Sequence, residues 1–256
     1  MLLTLLRVGL SPFLVAAASL AGRRWGHGVG GWLAGFPFVA GPILLVVALE
    51  QGVGFAAQAA RTALLGMVAL VGFAVWFGWL SRRRHWILAL VSGWGVYLLL
   101  AAGLAYLDFG ILANLGLILL ALVAGFLGLP GTHDSAVVHA RIPAHWDIPL
   151  RMLTTLALVC ALTLSASHLG TTWSGLLTPF PVATTVLSVF AHLTGGPVAV
   201  ARFLKGYLPG LTSLAIFFAV LAWRLPVQGI TAFATALGVA FAVHSLLALG
   251  KSRIGL

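Results

Sequence analysis

Nine apolar stretches follow one another along the chain, each of about the length that crosses the hydrocarbon core of a membrane. Their approximate ranges are 2–22, 32–50, 62–80, 86–106, 110–129, 149–169, 176–193, 208–224 and 228–249. Backbone polar groups in lipid must be satisfied internally, so such stretches fold as helices. The sequence therefore predicts an all-α integral membrane protein with about nine transmembrane helices.

The composition also separates this chain from soluble proteins. Hydrophobic residues make up 61% of its 256 residues and charged residues 7%, against roughly 25% charged in a soluble domain. The net charge of +10 would suit a nucleic-acid partner, but the cations lie in short turns between apolar stretches. Membrane lipids are therefore the expected partners, and no nucleic acid is expected.

The cations also indicate an orientation. With the N-terminus outside, only three of the 14 Lys and Arg residues fall on the outer side: Arg7, Arg61 and Arg224. The other eleven are Arg23, Arg24, Arg82, Arg83, Arg84, Arg141, Arg151, Arg202, Lys205, Lys251 and Arg253. Cytoplasmic loops carry an excess of Lys and Arg. The C-terminus is therefore expected in the cytoplasm.

An internal repeat organises the chain. Residues 31–79 recur 144 positions later, with Phe36-Pro37 matching Phe180-Pro181, and Arg7 falls on Arg151 at the same offset. The first span corresponds to the sixth, five crossings later, so the second copy enters the membrane from the opposite side. The predicted units are 1–106, a first four-helix repeat; 107–148, a linking helix and cytoplasmic loop; and 149–256, the inverted second repeat. Inverted repeats point to transport.

The repeated Phe-Pro pairs are the first candidate site, for binding substrate or gating its access. Proline removes a backbone donor, so Phe36-Pro37 and Phe180-Pro181 either interrupt their spans and line a cavity or only mark the first helical turn. Residues 53–80 and 197–224 could each form one long tilted helix. Pro197 at a helix start and Pro209-Gly210 inside the run favour a broken helix in the second copy.

Four further residues are candidates for transport chemistry. Glu50 is a candidate proton carrier, because an acid at membrane depth is costly unless it has a function; alternatively it is hydrated at the outer interface beside Arg61. Thr194 takes the place of Glu50 in the second copy, and His192 lies two residues before it. His192 and His244 are candidate proton relays or hydrogen-bonded interfacial residues.

Enzyme chemistry is not indicated. No nucleophile motif, phosphate-binding loop or carboxylate pair is present, so no catalytic residue and no cofactor are expected. The linker holds five residues of metal-ligating type, although their spacing matches no known metal site: His133, Asp134, His139, His145 and Asp147. No metal is therefore expected. Helix capping explains Asp108 and Asp147 more simply.

Several of these motifs carry a family resemblance. Gly175-Leu176, Phe180-Pro181 and Gly195-Gly196 in one copy, with Phe36-Pro37 and Glu50-Gln51-Gly52 in the other, resemble the core of GlpM-type bacterial inner-membrane proteins. The resemblance implies a duplicated four-span unit in a bacterial inner membrane and says little about substrate. The plan of four, one and four helices is similar to the drug/metabolite transporter superfamily by architecture alone.

The function expected from these patterns is secondary transport by alternating access, with export of a small or amphipathic metabolite. Two other classes remain open. One is a non-transporting membrane subunit of a polysaccharide or lipid-processing complex, and the other is a lipid flippase. A polar cavity between the two repeats would favour transport, whereas a packed bundle without a cavity would favour the subunit. The sequence leaves the substrate and the formation of a homo-oligomer open.

Overall fold

A computed structural model describes residues 2–38, 40–107, 109–132, 144–166 and 171–254. Within these ranges the chain forms ten α-helices and one short 3-10 turn, Gly229–Thr231. The helices are α1 (Leu2–Trp25), α2 (His27–Ala34), α3 (Ala40–Gln51), α4 (Val53–Arg83), α5 (Trp86–Leu104), α6 (Ile111–Gly128), α7 (Ala144–Ala166), α8 (Thr171–Leu177), α9 (Val182–Gln228) and α10 (Ala232–Ile254). The all-α prediction is confirmed.

The surface of the fold suits lipid. Among the described residues, four helical stretches are long and apolar enough to cross a membrane: Val53–Arg83, Trp86–Leu104, Ile111–Gly128 and Thr172–Leu249. The last stretch runs from α8 through α9 and the 3-10 turn into α10. Large apolar side chains stay exposed on the outer helices, including Leu99 at 75% and Leu112 at 83%. Soluble proteins rarely expose large contiguous apolar patches, so this surface is compatible with a membrane protein.

Helices α4 and α9 form the centre of the bundle. Phe73 and Phe77 of α4 and Phe217 and Phe218 of α9 are fully buried. Helices α5 and α6 pack on α4, and α10 packs on α9. The two longest helices thus hold the core, and helices with exposed apolar side chains surround them.

The two Phe-Pro pairs interrupt helices. Phe36-Pro37 lies between α2 and α3, and Phe180-Pro181 lies between α8 and α9. At each break the N–H two residues after the Phe donates to the Phe carbonyl at 2.7 Å, from Phe38 in the first copy and Val182 in the second. Pro181 has φ −71° and ψ 48°, the backbone of an inverse γ-turn. Both prolines therefore stand at a break between helices.

Two glycines reverse or bend the chain with similar backbone angles. Gly52, between α3 and α4, has φ 92° and ψ 160°, and Gly196, inside α9, has φ 66° and ψ −166°. Glycine adopts this region at little cost because it has no β-carbon. Gly196 lies 144 residues after Gly52. Helix α9 therefore corresponds to α3 and α4 joined at a bend.

The broken helix expected in the second copy is present, but the break lies at Gly196, directly before Pro197, and not at Pro209-Gly210. Helix α9 stays continuous after Gly196 with Pro209 inside it; helices in membrane proteins tolerate proline. Gly210 lies against the carbonyl group of Trp32, where a β-carbon would lie 2.5 Å from the oxygen. Helix α2 therefore packs closely on α9 at this point.

Two close helix crossings match each other. Helix α2 crosses α9 where Gly31 lies against the carbonyl oxygen of Phe203, and α8 crosses α4 where Gly175 lies against that of Ala59. A β-carbon at either glycine would overlap the opposing backbone. Gly175 lies 144 residues after Gly31, and Phe203 lies 144 residues after Ala59. The two crossings therefore use the same two positions of the predicted repeat, with the copies exchanged.

Several described arginines lie at one end of the bundle. One cavity lies between the α4–α5 turn and the bend of α9, and another lies between the α1–α2 turn and the start of α7. Arg23, Arg82–Arg84 and Arg151 line these two cavities, and we call this end of the bundle the cation-rich end. Helix α4 has 31 residues and spans about 46 Å, so Gly52 lies at the opposite end.

Candidate functional site

A cavity of about 450 Å³ lies at the cation-rich end between α1, α2, α7 and α9. We call it the Asp147 cavity. Helices α1 and α2 belong to the first predicted repeat, and α7 and α9 to the second. Its lining residues are Ala18, Ser19, Gly22, Arg23, Gly26, His27, Gly30, Asp147, Arg151, Leu187, Ala191, Thr194 and Phe203. The cavity thus lies between the two predicted repeats.

An ion cluster forms one side of this cavity. The Arg151 guanidinium donates from Nε to Oδ1 of Asp147 at 3.0 Å, and Arg23 donates to Oδ2 of the same carboxylate. Asp147 is 2% exposed and Arg151 7%, so both charges are withdrawn from water. Two guanidinium groups share one carboxylate. The cluster therefore carries a net charge of +1.

The Arg151 side chain is held by three helices. Its Nη1 donates to Oγ of Ser19 at 3.3 Å, and Ser19 donates in turn to the carbonyl oxygen of Val15 at 2.7 Å. The guanidinium lies over the ring of Phe190, 4.8 Å from its centre. Asp147 precedes Arg151 by one helical turn, a spacing at which opposite charges on a helix attract. Helices α1, α7 and α9 thus fix this cation in one position.

His27 lies at the turn between α1 and α2, outside the apolar stretch predicted from residue 32. Burial lowers the pKa of His27, and repulsion from Arg151 and Arg202 lowers it further against the opposing attraction of Asp147. The imidazole is therefore neutral near pH 7. A neutral imidazole can both donate and accept a hydrogen bond, so it adds a polar contact to the cavity without adding charge.

One predicted site residue lies in this cavity. Thr194 lines it, and its hydroxyl donates to the carbonyl oxygen of Phe190 at 2.8 Å. His192 lines a second cavity at the same end of the bundle, beside Arg82–Arg84. Thr194 and His192 therefore face different cavities although they are two residues apart.

The Phe-Pro pairs lie among aromatic rings, and none of their four residues lines either of these two cavities. The ring of Phe180 lies 5.2 Å from that of Tyr97, and the ring of Phe36 lies 6.5 Å from that of Phe241. Phe180 lies 144 residues after Phe36, and Phe241 lies 144 residues after Tyr97, so these two contacts also use the same positions of the predicted repeat. The prolines thus interrupt the helices, as the first alternative expects, but their phenylalanines pack on α5 and α10 and line neither of these two cavities. A role of the pairs as a gate stays a prediction.

Glu50 and His244 have different environments. Glu50 is exposed near the end of α3, away from the cation-rich end, as the hydrated alternative expects. His244 is 8% exposed, its Nδ1 lies 2.9 Å from the Ser213 hydroxyl, and its ring lies 4.3 Å from that of Trp32. His244 thus has the hydrogen-bonded environment that was its alternative. A role for Glu50 in proton coupling stays a prediction.

The linker candidates are mostly outside the described residues. These are His133, Asp134 and His139, the side chain of His145, and also Asp108. Asp147 is described, and the expectation that it caps its helix is wrong. Helix α7 begins three residues earlier, at Ala144, so Asp147 lies in the first turn and its carboxylate binds the two arginines. In the described part of the chain no three His, Cys, Asp or Glu residues group as metal ligands.

Arg151 and Arg23 were not among the sequence candidates, and Asp147 was considered only as a metal ligand or a helix cap. Two signals could have identified them. One is the spacing of Asp147 and Arg151, one turn apart in a chain with only four carboxylates. The other is the match of Arg151 to Arg7 in the repeat, which draws attention to a cation inside an apolar stretch. The side chain of such a cation needs a partner.

Comparisons with family models, curated proteins and solved structures find no match to this chain. The resemblance to GlpM-type proteins and to the drug/metabolite transporter plan therefore stays a prediction. The function has to be argued from the cavity and its helices. What is established about these helices is that they form an all-α fold compatible with a membrane protein.

Proposed function

We propose that this protein is a multi-pass transporter of the bacterial inner membrane, built from two inverted repeats, that loads a small organic anion into the Asp147 cavity from the cytoplasm. The observation that carries the proposal is a cavity walled by both copies and lined by a buried cluster with a net positive charge. Guanidinium groups bind carboxylates and phosphates through charge-assisted hydrogen bonds. The cavity therefore favours an anionic substrate.

The matching helix crossings support the repeat architecture. Each of the contacts Gly31–Phe203 and Gly175–Ala59 becomes the other when the two copies are exchanged. Contacts across a two-fold axis behave in this way. If the copies begin five crossings apart, that axis lies in the membrane plane. Rocking of one copy against the other then opens a site between them to either face of the membrane.

The charge distribution supports the orientation. Arg23, Arg82–Arg84 and Arg151 lie at one end of the bundle, and this end is the cytoplasmic one under the positive-inside rule. The Asp147 cavity then takes up its substrate from the cytoplasm, as an exporter does. Rearrangement of α1 and α7, which carry the ion cluster, would accompany release on the outer side.

Transport is tested in proteoliposomes on a solid-supported membrane, with concentration jumps of monocarboxylates, dicarboxylates and phosphate monoesters. We expect saturable currents for at least one of these classes. Arg23→Gln should weaken the apparent affinity about tenfold or more, because it removes one charge-assisted hydrogen bond donor. The Arg23 side chain is 40% exposed, so the protein should still fold.

Arg224→Gln is the matched control for this test. It removes the same charge from a residue that stacks on Trp223 and does not line the cavity. The control should transport as the unmodified protein does. Absence of current for all three classes, or equal affinities for Arg23→Gln and Arg224→Gln, would contradict the proposal.

The orientation gives a separate prediction. In a variant whose Cys160 is replaced by Ser, a cysteine at Gln51 should react with a membrane-impermeant maleimide in cells with an opened outer membrane. A cysteine at Arg83 should react only after the inner membrane is permeabilised. Both positions are exposed, at the opposite ends of α4. The reverse labelling pattern would overturn the orientation, and labelling of both from one side would overturn the arrangement of α4.

A further inference from the structure

A second cavity, of about 370 Å³, lies between the α4–α5 turn and the bend of α9. We call it the Arg82 cavity. Its lining residues are Ser81, Arg82, Arg83, Arg84, His85, His192, Leu193, Gly196 and Pro197. It shares no residue with the Asp147 cavity. The proposed transport does not use it.

We propose that the Arg82 cavity binds the phosphate group of an anionic phospholipid from the cytoplasmic leaflet. The first argument is charge. Three arginines and two histidines line the cavity, and none of its lining residues is a carboxylate. Of the two carboxylates that the structure describes, Asp147 is paired in the other cavity, and Glu50 lies beyond the far end of α4. The cavity is therefore strongly positive, and it concentrates anions.

The second argument is that the cations are held rather than dispersed in solvent. Arg82 donates from Nη1 to the carbonyl oxygen of Gly131 at 3.3 Å, and the Arg83 guanidinium lies 6.0 Å from the ring centre of Trp79. His192 comes from a different helix and closes the opposite wall. The positive-inside rule accounts for arginines in this loop, but it does not require a concave site completed by α9.

Two helix beginnings and two helix ends meet at this cavity. Helix α5 begins at Trp86 with His85 as its N-cap, and the second half of α9 begins at Pro197 after the bend at Gly196. Helix α4 and the first half of α9 end at the same place. The positive beginnings and the negative ends of these helices oppose one another, so the charge of the cavity is that of its cations.

The third argument identifies the ligand as a lipid. The first turns of α5 leave Ile87, Leu88 and Val91 about half exposed, directly after His85. An apolar surface of this kind next to a basic cavity provides a place for acyl chains below a bound phosphate. Basic pockets between helices on the cytoplasmic side of a membrane bind anionic lipid headgroups. A soluble phosphate would use the cations and leave this apolar surface without a role.

The proposal is tested by native mass spectrometry of the purified full chain titrated with phosphatidylglycerol, with phosphatidylcholine as the zwitterionic comparison. We expect at least one phosphatidylglycerol to stay bound where phosphatidylcholine does not. The double variant Arg83→Gln/Arg84→Gln should weaken this binding about tenfold, through loss of charge-assisted contacts. His192→Gln should weaken it as well, although it does not change the charge of the loop.

The matched control is Arg24→Gln/Arg202→Gln, which removes the same charge from two exposed cations outside the Arg82 cavity. Equal weakening in both double variants would overturn the site, because general surface charge would then explain the binding. Unchanged binding in His192→Gln would also overturn it. Complete displacement of the lipid by millimolar sodium phosphate would identify a soluble phosphate site instead and would overturn the lipid assignment.

Discussion

Replacing Asp147 with Asn should lower the free energy of unfolding by about 3–5 kcal/mol, the usual result of removing one partner from a buried ion pair. Asn keeps the shape of the side chain and removes its charge. Arg151 is only 7% exposed, so its guanidinium would be left buried without a counter-ion. The measurement is equilibrium unfolding in mixed micelles titrated with sodium dodecyl sulfate, followed by circular dichroism.

A double variant separates loss of the ion pair from loss of packing. In Asp147→Asn/Arg151→Gln the buried charge is absent as well, so much of the lost stability should return. Arg224→Gln serves as the control and should change stability by about 1 kcal/mol at most, since its guanidinium stacks on the exposed ring of Trp223. If Asp147→Asn and Arg224→Gln unfold at the same proportion of sodium dodecyl sulfate, the cluster does not hold α1 to α7.

The second large effect is expected where α2 crosses α9. Gly206→Ala should cost about 1–3 kcal/mol, because a β-carbon there would overlap the backbone of Gly28, and backbone has little freedom to move. Gly206→Val should cost more. The same unfolding titration measures both variants. A loss of this size would show that the crossing depends on direct contact between the two helix backbones.

The control for this crossing is Gly238→Ala in α10. No neighbouring atom would lie within 4 Å of a β-carbon at Gly238, so alanine should be neutral there or stabilise the helix by up to about 1 kcal/mol. Opposite signs for Gly206→Ala and Gly238→Ala are therefore expected. Equal effects would mean that α2 and α9 lie further apart than this structure has them.

The sequence predicts the helices well where local physics decides. Helix α5 covers Trp86–Leu104 against an expected 86–106, and α6 covers Ile111–Gly128 against 110–129. Apolar length sets these elements, and the turns between them contain the polar and glycine residues. The Phe-Pro pairs likewise end helices in both copies. Pro209 behaves differently, because its fate depends on how α2 packs on α9.

The candidate site is harder to predict. Arg23 and Asp147 are 124 residues apart in the chain and meet only because α1 packs on α7. No local pattern encodes that contact. Glu50 and His192 were selected by residue type, which indicates what a side chain can do and leaves its position unknown. Thr194 was found through the repeat, and the structure places it in the Asp147 cavity.

The spacing of Asp147 and Arg151 also bears on how this chain would enter a bilayer during synthesis. An arginine at the centre of a membrane helix costs about 2.5–3.5 kcal/mol by insertion scales, and Arg151, near the cation-rich end of α7, would meet a smaller cost. Asp147 lies one turn before Arg151 on α7, so the two charges can neutralise each other before any other helix has packed. Arg23, on a helix made much earlier, would then bind to a pair that already exists. If α7 crosses a membrane, it thus carries the counter-ion of Arg151 on its own first turns.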